Sequence, residues 1–359
     1  MRIVFKTDYD QDIRLFRHGG AVFWYGCLGA ALLLAPWFLG EYWLSQIAFV
    51  CVYGMAGIGL MLLSGYAGQI SLGHAAFFAA GAYTETLLLA QGWPFPLTLV
   101  AAGLLAGAVG VAIGLPALRL SGIYLAIATL AFAFIVEEVL ARWESVTNGN
   151  NGLNVPLARL GPVALDPNGR LFYYVALCAV TLLMLAAANL LRSPTGRAFV
   201  AIRDSEIAAQ SLGVNLAWYK TVAFAVSAAF TGVAGAFYAH KLQFISPEAF
   251  TIVLSIELLV MVVVGGLGSL HGAIYGAIFT IVLPELIGVA KDYLPAGIAG
   301  QPGLKSLLFG LIVIGFMLFE PLGIHGRWRK IQLYFQLFPL YRRATFKRQR
   351  SYLRTERLR

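Results

Sequence analysis

The stretch Ile252–Ala290, IVLSIELLVMVVVGGLGSLHGAIYGAIFTIVLPELIGVA, is two long apolar runs with Glu257 and Glu285 as its charged residues. A helix needs about 20 apolar residues to cross a bilayer core of about 30 Å. A surface helix of a soluble domain keeps a polar face, and neither run has one. In lipid a helix satisfies its own backbone polar groups. The runs also lack the period of two that a barrel strand would show. Both are therefore read as membrane-spanning helices, over 252–267 and 271–290, meeting at Gly265-Gly266-Leu267-Gly268-Ser269-Leu270-His271-Gly272 with almost no polar linker.

The same pattern recurs outward in both directions. Further spans are expected near 21–39, 46–63, 71–90, 97–118, 122–140, 171–191, 221–240 and 304–320. The fold class is all-α, a polytopic membrane bundle of about ten transmembrane helices. Composition agrees: 59% of residues are hydrophobic and 12% charged, where soluble domains average about 25% charged. The first run is longer than the apolar core of a cleaved signal peptide, about 7–15 residues, so it is read as a retained span. Cys27, Cys51 and Cys178 lie inside apolar runs without framework spacing and are read as small hydrophobes.

Charge orients the bundle. With ten spans, both termini, Arg119 and segment 192–220 share one side and carry twenty Lys/Arg; the other side carries six. The positive-inside rule puts that basic side in the cytoplasm. The chain divides into a cytoplasmic segment 1–20, a permease region 21–320 containing the cytoplasmic loop 192–220, and a basic cytoplasmic tail 321–359. From Arg327 to Arg359 the tail holds eleven Lys/Arg and one acid, Glu356. Basic groups directly after a span point to anionic lipid headgroups rather than to nucleic acid.

Within 192–220, Asp204 or Ser205 can cap a short helix. Glu206 to Leu212 favours helix, and Gly213 can end it. Glu206, Ala209 or Gln210, and Gly213 share a face, which suits either a partner's surface or an ordinary solvated helix. Two glycine-rich boundaries, Gly65–Gly81 and Gly265–Gly276, join apolar runs directly. They signal either broken helices, which line transport paths, or close helix packing. Gln69, Ser71 and His74 open the span after the first boundary, and Glu257 lies inside another span. Such groups face the bundle interior or a water-filled path, so these four are candidates for a translocation path and equally for helix contacts. The external loop 142–170 contains the turn cluster Thr147–Gly152. The sequence holds no Gly-x-x-x-x-Gly-Lys-[Ser/Thr] phosphate loop, no His-Glu-x-x-His and no paired Cys ligands.

These stretches resemble the branched-chain amino acid ABC importer permeases, the LivM-type subunit in particular. The likeness rests on Gly65–Gly81, Arg203–Gly213, Ser255-Ile256-Glu257 leading to Gly265-Gly266-Leu267-Gly268, and the tail Phe338–Gln349. It implies a bacterial inner-membrane protein that pairs with a second permease subunit. Two ATP-binding subunits would dock below, using ATP and magnesium, with no cofactor in this chain. A periplasmic binding protein would deliver leucine, isoleucine or valine. Arg203, Asp204, Glu206, Ala208, Ala209 and Gly213 resemble the ATPase-coupling loop, with Ile207 separating Glu206 from the first alanine. In the external loop Asn148 follows Thr147 where relatives often have Thr-Gly-Gly. Competing readings are a urea or short-chain amide permease, a self-sufficient secondary transporter, and a membrane enzyme for which no catalytic constellation is present.

Overall fold

A computed structural model of the chain describes residues 19–117, 120, 122–161, 163–291 and 303–337. The expected segment 1–20 lies almost wholly outside the described residues, and so does the tail beyond 337. The helices run α1 (Gly19–Phe38), α2 (Glu41–Leu60), α3 (His74–Ala90), α4 (Phe95–Ala117), α5 (Ile123–Arg142), α6 (Glu144–Thr147), α7 (Arg170–Arg192), α8 (Pro194–Asp204), α9 (Glu206–Ser211), α10 (Leu216–Leu242), α11 (Ile252–Gly265), α12 (Leu270–Lys291), α13 (Leu304–Phe319) and α14 (Gly323–Leu337). Each of the ten expected spans coincides with one of them.

Not all ten are full-length crossings, so the count of ten is approximate. Among the described residues seven helices are long and apolar enough to span, and α13 with α14 makes an eighth only as a pair bent by 48°. α3 has 17 residues because the chain before it, from Ala67 to Gly73, is not helical. The bend at Gly323 (φ 69°) has a steric cause. A Cβ there would lie 2.6 Å from the Gly266 backbone, so the start of α14 presses on the junction between α11 and α12.

α10 is the centre of the bundle, packed against α2, α3 and α4. Lipid supplies no hydrophobic force between helices, so close van der Waals approach must hold them. The sequence provides it with small residues. Gly103, Gly107, Gly110 and Gly114 line the face of α4 toward Ala225, Ala228 and Ala229 of α10. A Cβ on Gly235 would fall 1.9 Å from the Phe78 carbonyl oxygen, so α10 and α3 touch backbone to backbone. By contrast α1, α5 and α13 present Trp24, Trp37, Ile123, Ile135, Leu311 and Leu318 outward.

At one end of the bundle a small cap covers the helices. β1 (Leu153–Asn154) pairs antiparallel with β4 (Phe244–Ile245), and β2 (Arg159–Leu160) with β3 (Val163–Ala164). Thr147 is buried there and donates to the Leu140 and Trp143 carbonyls, while Asn148 (φ 58°) turns the chain. Lys241 fastens the cap, donating to Pro167 O at 2.7 Å and Asn168 Oδ1 at 2.9 Å. The opposite end carries α8, α9 and both glycine-rich junctions.

Candidate functional site

α8 and α9 form a two-helix platform at that end. Pro194 occupies the first position of α8, where its missing N–H costs nothing. Ala198, Phe199 and Ile202 are buried, seating α8 on the bundle. Ser205 is extended (φ −165°) and caps α9, accepting from Ala208 N at 3.3 Å. Gly213 (φ 84°) closes it: Gly213 N donates to Gln210 O and Val214 N to Ala209 O, both at 3.0 Å. Asn215 then caps α10 by accepting from Trp218 N at 3.2 Å.

Glu206, Gln210 and Gly213 share a face, as one of the two spacings suggested, and that face turns toward α10. Ala209 turns inward and is buried, whereas Ile207 and Leu212 are 81% and 82% exposed. Glu206 takes a partner within the chain, the Lys220 ammonium, at 2.7 Å. Gln210, Gly213, Asn215 and Ala217 join that pair in lining a cleft of about 500 Å³ between α9 and α10. Ile207 on this short polar helix and Leu212 at its end are large aliphatics in a polar stretch, a sequence signal that the glutamate-alanine spacing does not include.

Arg203 connects the platform to the junctions. Its Nε and Nη2 donate to Asp204 Oδ1 at 3.1 and 3.0 Å, and its Nη1 donates to the Gly65 carbonyl at 3.1 Å. Gly65 belongs to a single wide turn, Met61–Tyr66, that continues α2 with bonds one residue longer than the α pattern. Wide turns of this kind cluster at functional sites. Beyond it the backbone leaves the helix until His74.

Non-helical backbone inside a membrane must find partners within the protein. Here polar side chains of two neighbouring helices, and of the junction itself, supply them. Leu72 N donates to Thr129 Oγ1 of α5 at 3.0 Å, and Ala75 N to Ser255 Oγ of α11 at 2.9 Å. Ser71 Oγ accepts from Gly73 N at 3.3 Å. The His74 ring bridges Ser71 Oγ at 2.9 Å and Ser227 Oγ of α10 at 2.8 Å. Ser71 and His74 are fully buried; Gln69 is 4% exposed, and its Oε1 has no hydrogen-bond partner. The structure thus gathers Gln69, Ser71 and His74 in one buried cluster and adds Ser255, from the Ser255-Ile256-Glu257 stretch, with Thr129 and Ser227, which no sequence motif marked. Glu257 lies apart from it, half-buried on α11 near the Tyr53 and Tyr238 hydroxyls.

A second buried polar group sits toward the capped end. Glu85 Oε1 accepts from Thr98 Oγ1 at 2.7 Å and lies 2.9 Å from His240 Nε2. Glu85 is fully buried and His240 nearly so. Among the described residues no cluster of His, Cys, Asp and Glu is arranged to hold a metal ion.

Comparison with known proteins adds to this geometry. The family described as branched-chain amino acid transport system / permease component matches residues 42–317. The high-affinity branched-chain amino acid transport system permease protein LivM of Escherichia coli is 36% identical over 324 residues, 83% of this chain and 74% of its own length. LivM of Salmonella typhimurium is 36% identical over 297 residues, covering 76% of this chain and 67% of its own. A probable LivM of Methanocaldococcus jannaschii is 26% identical over 232 residues, 64% and 67% of the two chains. No significant match to a solved structure is found.

Proposed function

The chain belongs to the family of branched-chain amino acid transport permease components, and from that premise we propose that it is the transmembrane permease subunit of an ATP-binding cassette importer for leucine, isoleucine and valine. It pairs with a second permease subunit to form the path. A periplasmic binding protein delivers the amino acid, and two ATP-binding subunits, which use ATP and magnesium, drive the cycle. This chain is a transport subunit and carries no phosphate loop of its own.

The observation that carries the reading is the platform Pro194–Ser211. It stands outside the spans, its second helix is capped by Ser205 and closed by Gly213, and it turns Ile207, with Leu212 just beyond it, to solvent. Exposed aliphatics on a rigid short helix suit docking on an ATPase groove. We assign Arg203, Asp204, Glu206, Ala208, Ala209 and Gly213 to this coupling element, with the exposed Ile207 and Leu212 as its docking contacts and Arg203 turned toward the first junction. The twenty-to-six charge partition supports a bacterial inner-membrane orientation with both termini in the cytoplasm. On α14, Arg327 and Lys330 pair with Glu320 at 2.7 and 3.7 Å, and with Arg329 they leave a net positive charge for the lipid headgroups of that leaflet.

We place the translocation path beside the two junctions, with Gln69, Ser71 and His74 at the first and Glu257 on the helix that leads to the second. Broken helices in transporters line paths. All three residues of the first group are buried in this conformation, so exposure requires the junctions to move. The test is uptake by the complex reconstituted with its partner subunits. Labelled leucine, isoleucine and valine should enter on ATP addition, and urea should not. Uptake of urea alone would overturn the substrate reading, and ATP-independent uptake would overturn the importer class.

A further inference from the structure

One side chain of the platform reaches both junctions. Arg203 Nη1 holds the Gly65 carbonyl at 3.1 Å. Gly68 (φ 69°) packs on the same side chain: a Cβ there would stand 2.9 Å from Arg203 Cγ and 3.1 Å from its Cα. The second junction arrives at the same place. The Gly268 nitrogen lies 2.8 Å from where a Gly65 Cβ would be, and Arg203 Nη1 lies 3.4 Å from the Cβ position of Gly268 (φ 82°). A further contact sews the junctions together, Gly268 N to Met61 Sδ at 3.3 Å.

We propose that Arg203 is a positioning residue that ties the platform to both glycine junctions, so that the three move as one unit during transport. The inference rests on the reading of α8 and α9 as the ATPase-facing element. Arginine suits the task because its planar fork donates in fixed directions to several acceptors at once. A charged donor also holds a carbonyl more firmly than a neutral one. Glycine junctions are where backbone dihedrals change at least cost. Left unheld, they would absorb a displacement of α8 rather than pass it to α2, α3, α11 and α12. The Arg203–Asp204 pair alone would not do this, because both side chains stay substantially exposed, at 38% and 65%, and such pairs contribute little.

The test uses Arg203→Ala and Arg203→Lys in the full complex, reconstituted in proteoliposomes, with Gly213→Trp as a separate probe of docking. In Arg203→Ala the ATPase subunits should still co-purify. Maximal uptake per ATP hydrolysed should fall about fivefold, within the range for removing one member of a coupling network. The half-saturating concentration of loaded binding protein should not change. Arg203→Lys keeps the charge but cannot span Gly65 and Asp204 together, so it should lie between wild type and Arg203→Ala. If the alanine variant does not accumulate, the lysine variant carries the test by the same ratio. An unchanged ratio with ATPase bound overturns the inference. So does loss of the ATPase from Arg203→Ala, which would make Arg203 a docking residue. If Gly213→Trp also leaves docking and uptake normal, the coupling reading of the platform fails as well. Impairment in Gly213→Trp alone sinks the Arg203 role and spares that reading.

Discussion

The Glu206 carboxylate lies 2.7 Å from the Lys220 ammonium, with the lysine 3% exposed and the glutamate still touching water. The pair latches α9 to the first turns of α10. Removing the acid would leave a buried ammonium without its counter-charge, a costlier change than deleting an exposed pair.

Glu206→Ala should therefore loosen α9 by about 1 kcal/mol, discounted because the glutamate side is solvated. The bundle, held by α10 against α2, α3 and α4, should remain intact. Limited trypsin digestion checks this: cleavage after Arg203 should quicken while the spans stay protected. An unchanged cleavage rate would mean the latch contributes nothing.

Gly213→Trp should weaken ATPase docking or uncouple hydrolysis from uptake, and more strongly than Glu206→Ala. A Cβ at Gly213 meets nothing within 4 Å, so the strain comes from its φ of 84°, about 1 kcal/mol for a residue with a side chain. The rest of the effect is bulk beside the cleft. Gly213→Ala separates the two, since it adds the strain without the bulk. Normal complex yield and normal coupled uptake in Gly213→Trp would return the stretch to a plain loop.

Single cysteines at Gln69, Ser71 and His74, in a background lacking Cys27, Cys51 and Cys178, should resist a water-soluble thiol reagent in the resting state, because these sites are buried. Reaction should appear only when binding protein and ATP drive the cycle. Inertness in every state would identify them as packing residues that satisfy the first junction.

A reporter fused after Arg359 should be active only as a cytoplasmic fusion, and one inserted within 143–168 only as a periplasmic one. This follows from the twenty-to-six partition of Lys/Arg that ten spans give and from the positive-inside rule. Periplasmic activity of the Arg359 fusion would refute the orientation.

The spans were readable residue by residue, because lipid imposes a length and an apolarity that a sequence must display locally. Ile252–Ala290 shows both, and α11 and α12 begin at Ile252 and Leu270. The caps of α9 were readable for a similar reason. Ser205 and Gly213 act through backbone groups within three to five residues of themselves. Glycine at 65 and 268 marked that something would approach closely, without saying what.

What the sequence by itself determined is thus the class of the fold and the helix positions, both of which depend on local composition facing a uniform solvent. Only the tertiary structure decided that Arg203 meets a carbonyl 138 residues away and that His74 hydrogen-bonds to a serine 153 residues away. It also decided that Glu206 is spoken for by Lys220 and that Ala209 faces inward. These pairings depend on how small residues let α3, α4 and α10 close on one another. Lipid offers no preference between one helix neighbour and another, so partner choice rests on side-chain fit between distant segments.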